Sequence, residues 1–149
     1  QRAMEGWRVR MVEADFGPRG FDPPLYPDQD GLYLHGKIDR VDQHDVHGYQ
    51  ALDYKTGAKG ETPEEAHRNK NGWIDLQLPL YRVLLKSRDI EVAPDGLGYI
   101  SLPPDSSRSG FKLADWSATD IEEAEETAAE VIRIIKEGRL KQIVSEAIS

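Results

Sequence analysis

The sequence predicts an α/β fold, a central mixed β-sheet flanked by helices. Two observations carry this reading. Segments of strand and helix periodicity follow one another as strand-strand-strand-helix-strand-strand-helix. The second and third strands are also separated by a short turn-rich run, so they form an antiparallel hairpin.

Each element has its own signal. Trp7 to Phe16 alternates loosely, with Trp7, Val9 and Met11 against Arg8 and Arg10, and reads as a strand. Residues 17–30 are rich in Pro, Gly and Asp and read as a loop. Leu32 to Val41 is the second strand, with Leu32, Leu34, Gly36 and Ile38 on one face and Tyr33, His35, Lys37 and Asp39 on the other. Residues 43–48 are turn chemistry closed by Gly48. Tyr49 to Lys55 returns as the third strand, with Ala51, Asp53 and Lys55 sharing a face. Thr62-Pro63-Glu64-Glu65 has the form of a capping box opening a short polar helix or turn. Trp73 to Lys86 is apolar at helical spacing and predicts a buried helix, in which Pro79 is tolerated only near the first turn. Leu97 to Leu102 is a fourth strand, and Phe111 to Trp116 a fifth. A second capping box at Thr119-Asp120-Ile121-Glu122 opens a last helix with a buried stripe of Ile121, Ala124, Ala128, Val131 and Ile135.

At 149 residues the chain fits one domain, 1–149, large enough for its own core. It has no cysteine, which excludes a disulfide framework, a cysteine-ligated zinc site and an iron–sulfur cluster in these residues. The apolar runs are too short to span a bilayer and no secretory signal opens the chain, so a cytoplasmic, non-membrane protein is expected. The net charge of −8 is unlike that of a duplex-coating protein. It is concentrated, however. Residues 120–137 hold seven acidic and two basic side chains, the pattern of a solvated helical face, and the remainder is only mildly acidic.

The chemistry lies in the hairpin. Asp39 and Asp53 bring two carboxylates to adjacent strands, and carboxylate oxygens are what a hard divalent cation takes as ligands. Lys55, two residues beyond Asp53, shares its face. The backbone carbonyl of Tyr54 is a further oxygen ligand. Mg²⁺ or Mn²⁺ held by this set, with Lys55 orienting the attacking water, is the minimal equipment for phosphodiester hydrolysis. His44 and His47 read as exposed turn residues, and Trp73, Tyr99 and Trp116 as core aromatics. Lys59, Arg68, Lys70 and Arg82 read as surface charges close to these motifs.

Three segments in series carry a resemblance. Gly36-Lys37-Ile38-Asp39-Arg40-Val41-Asp42, then Leu52-Asp53-Tyr54-Lys55-Thr56-Gly57, then Gln77-Leu78-Pro79-Leu80-Tyr81 resemble the PD-(D/E)XK nuclease superfamily, most closely its RecB/AddB-type nuclease domains. The resemblance implies a restriction-endonuclease-like core, Asp39 and Asp53 as metal ligands and Lys55 as the catalytic lysine. It makes Gln77 and Tyr81, four apart on one helix face, neighbours of the active site that help hold the lysine and the DNA strand. Glu13 falls where relatives often carry a glutamate, an outer position of the metal site. The implied activity is a metal-dependent DNA exonuclease or nuclease in end processing, recombination or repair. The implied partner is a helicase or helicase–nuclease subunit, or a helicase region of a longer chain.

The chain departs from that pattern in two respects. Relatives bring a histidine ligand from a helix upstream of the first strand, but only six residues precede Trp7 and none is histidine, so a fragment lacking that helix is expected. It also lacks the four cysteines of cluster-bearing members and any Gly-x-x-x-x-Gly-Lys-Ser/Thr phosphate loop. The alternative is a catalytically inactive nuclease fold that holds DNA or docks a helicase subunit.

Overall fold

The computed structural model describes residues 3–16, 36–56, 62–102 and 110–148. The strands are β1 (Trp7–Phe16), β2 (Gly36–His44), β3 (Gly48–Thr56), the two-residue β4 (Arg68–Asn69) and β5 (Gly72–Trp73), β6 (Val92–Leu102) and β7 (Gly110–Leu113). The helices are α1 (Pro63–His67), α2 (Gln77–Lys86) and α3 (Ala118–Ile148). Five strands form one sheet in the order β1-β2-β3-β6-β7. The β1–β2, β2–β3 and β6–β7 pairs are antiparallel and β3–β6 is parallel, so the sheet is mixed, as predicted. The parallel pair requires a crossover, which α1, the β4–β5 ribbon and α2 supply.

The β2–β3 hairpin turns over three residues, Asp45 to His47, so it is tighter than the predicted 43–48. Gly48 takes φ 79°, a conformation that side chains resist. His44 is part of this turn and not merely exposed. Its Nδ1 accepts from the N–H groups of Val46 and His47 at 3.0 and 3.1 Å, and its ring lies 5.1 Å from that of Trp7. Of the predicted second strand, residues 32–35, including His35, lie outside the described residues, as do the 17–30 loop and Lys59.

The core lies between the sheet and α2. Leu78, Tyr81, Leu84 and Leu85 form a buried helical stripe against Val41, Ala51, Leu97 and Tyr99. Truncating Leu85, which is fully buried, to Ala would cost about 2–5 kcal/mol. The predicted helix from Trp73 starts only at Gln77, because Trp73 pairs instead in β5, beneath the Arg68 guanidinium. Pro79 therefore falls in the first turn, where a missing N–H leaves no helical bond unmade.

Thr62 caps α1 as predicted, with Glu65 N–H donating to its Oγ1 at 3.4 Å, but the helix is not merely polar, since Pro63 and His67 are buried. The capping box of α3 is Ser117 with Asp120, two residues before the predicted one. Asp120 N–H donates to Ser117 Oγ at 3.2 Å, and Ser117 N–H to Asp120 Oδ2 at 2.9 Å. Ile121, Ala124 and Ala128 are buried as predicted, whereas Val131 and Ile135 are 45% and 52% exposed. The lengths explain this. The ten residues of α2 span about 15 Å and the 31 of α3 about 46 Å, so α3 outruns its neighbour. The fifth strand ends at Leu113, and beyond it Ala114 and Trp116 are buried in the core while Asp115 is exposed.

Candidate active site

The hairpin register pairs Arg40 with Leu52, so its next step sets Asp39 opposite Asp53. Asp39 is fixed from across the hairpin, where its Oδ2 accepts the Tyr54 N–H at 3.0 Å. Asp53 is buried, and α2 holds one of its oxygens. Oδ1 accepts from the Tyr81 hydroxyl at 3.3 Å and from Gln77 Nε2 at 3.5 Å, and Gln77 Nε2 also reaches Tyr81 Oη at 3.2 Å. Gln77 and Tyr81 of α2 thus meet the hairpin at the Asp53 carboxylate.

Oδ2 of Asp53 is different. It is buried and pairs with the Lys55 ammonium, 3.0 Å away. A buried carboxylate oxygen beside a second carboxylate suits a hard cation. Burial first, then the Asp39 carboxyl, pushes Asp53 up to about 6, against the opposing pull of Lys55. Tyr81 is displaced well above the ordinary phenol value, by burial and then by the Asp53 charge, so it remains a donor across the neutral range.

Lys55 is partly exposed, with its ammonium 5.1 Å from the centroid of the Tyr99 ring. Tyr99 is the β6 partner of Asp53 in the parallel register, so its ring lies on the same face beside the lysine. Glu13 is exposed, with φ 47°, on β1 between the residues that pair with Arg40 and Ile38. Among the described residues, no group of three or more His, Asp or Glu side chains gathers as a metal cage. Asp42, in the same motif as Asp39, has a structural role. It is fully buried and takes the Arg40 guanidinium on both oxygens at 2.7 and 3.0 Å.

Two further residues beside the site carry no sequence motif, Tyr99, whose pattern is that of a core aromatic, and His67. His67 is fully buried, with Nδ1 2.9 Å from Tyr99 Oη. No local pattern marks either residue, because both depend on the long-range β3–β6 pair.

A mixed sheet flanked by helices, with two carboxylates and a lysine on its central hairpin, defines the restriction-endonuclease-like class of α/β proteins. The chain belongs to the PD-(D/E)XK nuclease superfamily, whose family model matches residues 1–147. Members of this superfamily generally use divalent metals, and the donor set described above fits one. No curated protein matches the chain.

Proposed function

We propose that the chain is a Mg²⁺- or Mn²⁺-dependent deoxyribonuclease of RecB/AddB type, acting at DNA ends in recombination or repair alongside a helicase subunit or region. The observation that carries the reading is the buried Oδ2 of Asp53, set beside Asp39 and paired with the Lys55 ammonium. Asp39 and Asp53, with the Tyr54 carbonyl, would hold the cation. When bound, it supplies charge stabilisation on the phosphoryl oxygens and activation of a water.

The remaining work falls to the chain itself. Gln77 and Tyr81 fix the rotamer of Asp53 by sharing its Oδ1, which leaves Oδ2 for the cation. The Tyr54 N–H does the same for Asp39. Lys55, held between Asp53 and the face of Tyr99, orients the attacking water and offsets negative charge as it develops on the phosphate.

The test is cleavage of linear duplex and single-stranded DNA with Mn²⁺, with calorimetric Mn²⁺ titration alongside. Asp39→Ala and Asp53→Ala are expected to lose both binding and cleavage, and Lys55→Ala to keep binding and lose cleavage. Retention of wild-type cleavage by Asp53→Ala or Lys55→Ala would overturn the assignment. A wild-type protein that binds Mn²⁺ and cuts neither DNA would instead support the DNA-holding or docking scaffold.

A further inference from the structure

His67 closes α1 and is completely enclosed, which is unusual for a histidine in a short, otherwise polar helix. Both ring nitrogens are engaged. Nε2 accepts the Leu78 N–H at 3.4 Å, in the first turn of α2, and lies 3.8 Å from Asp75 Oδ1. Asp75 in turn accepts the Gln77 N–H at 2.8 Å. An Nε2 that accepts leaves the ring proton on Nδ1, which faces Tyr99 Oη at 2.9 Å. The His67 carbonyl receives the N–H groups of Ile74 at 2.8 Å and Asp75 at 3.3 Å, so the backbone here also fixes the approach to α2. Trp116 closes the pocket edge-on, its ring centroid 5.5 Å away.

The two arms of this imidazole lead to different parts of the same site. Through Nδ1 it holds the hydroxyl end of Tyr99, whose ring lies beside the Lys55 ammonium. Through Nε2 it holds the first turn of the helix that carries Gln77 and Tyr81, both bonded to Asp53. A merely space-filling residue would be apolar here. Burying an imidazole carries a desolvation cost that its polar contacts must offset.

We propose that His67 is a positioning residue, one side chain that sets the Tyr99 platform under Lys55 and the Gln77/Tyr81 turn against Asp53. It touches neither substrate nor the two carboxylates, and it acts through Tyr99 and Leu78. The inference rests on the nuclease reading only for its effect on cleavage. Its structural content, the coupling of Lys55 to His67 through Tyr99, stands apart from any activity.

The experiment uses the full chain labelled with ¹³C-lysine and reads the Lys55 ε-methylene proton shift, which the adjacent Tyr99 ring displaces. It also reads kcat and KM for Mn²⁺-dependent cleavage of linear DNA. His67→Asn keeps a polar group near the Nδ1 position, His67→Gln keeps one near Nε2, and Tyr99→Phe removes only the hydroxyl. The expected result is a Lys55 signal moved in His67→Gln and Tyr99→Phe and preserved in His67→Asn. With it, kcat falls about tenfold or more in the first two at nearly unchanged KM, the signature of lost alignment. Should the histidine variants fail to fold, Tyr99→Phe, which deletes one oxygen, still decides. A Lys55 signal at its wild-type position in folded Tyr99→Phe overturns the proposal. If the wild-type protein cuts no DNA, the nuclease reading falls, and the Lys55 shift alone confirms or overturns the coupling.

Discussion

The hydroxyl of Tyr81 donates to Oδ1 of Asp53 at 3.3 Å, and the other oxygen of that carboxylate pairs with the Lys55 ammonium at 3.0 Å. A helix residue therefore sets which oxygen of the acid faces the lysine. Tyr81→Phe removes the donor and keeps the ring in the core. It is expected to lower kcat about tenfold, as for a lost bond to a charged group, while the melting temperature changes little. Gln77→Ala should act in the same direction. Steady-state kinetics beside a thermal melt will check both, and a Tyr81→Phe enzyme with wild-type kcat would remove Tyr81 from the site.

The acidity of Asp53 makes stability depend on pH. Its folded value is about 6, above the value near 4 of an unfolded chain. Below about pH 4 both states hold the proton and this group contributes nothing. Between about pH 4 and 6 the folded state keeps a proton that the unfolded state releases, so stability falls as pH rises, by on the order of 3 kcal/mol in total. His67, depressed by burial, works in the opposite sense, since the unfolded chain binds its proton as pH falls below about 6.5. The diagnostic quantity is therefore the difference between wild type and Asp53→Asn in urea unfolding at pH 4.5 and pH 7.5. Asp53→Asn should gain on wild type at the higher pH, and added Mn²⁺ should close the gap by stabilising only the wild type.

Asp42 and Asp39 are three residues apart in one strand yet have separate duties. Arg40→Ala deprives the buried Asp42 carboxylate of its guanidinium and is expected to destabilise the protein by about 3 kcal/mol. Mn²⁺ affinity in the protein that remains folded should be unaffected. Arg8→Ala, which breaks an exposed pair with Asp45, is expected to leave the unfolding midpoint unchanged. Chemical denaturation of the two variants gives the comparison directly.

What could be read in the sequence was local. The hairpin was legible because Gly48 and the alternation around it lie within one turn, and with it came the meeting of Asp39 and Asp53. Gln77 and Tyr81 were legible because four residues make one helical turn. Pairings at a distance left no such trace. Nothing near Tyr99 says that it will lie beside Asp53, and nothing near His67 says that a polar-looking turn will be sealed. α2 starts later than its period suggests, because Trp73 matches the helical spacing and yet finds Arg68 across a two-residue ribbon. The outer half of α3 is more exposed than its stripe suggests, because apolar spacing does not record how far the neighbouring helix reaches.

The parallel union of β3 with β6 also sets a schedule. As the chain leaves the ribosome, the β2–β3 hairpin is complete before the crossover that carries α2, and before the strand that carries Tyr99. Contacts between near neighbours form early, and those that close long loops form late. The acidic pair thus comes into being first, without the helix that orients it or the ring beside its lysine. A half-synthesised polypeptide owns the two carboxylates but not their setting, which is complete only once β6 has joined β3.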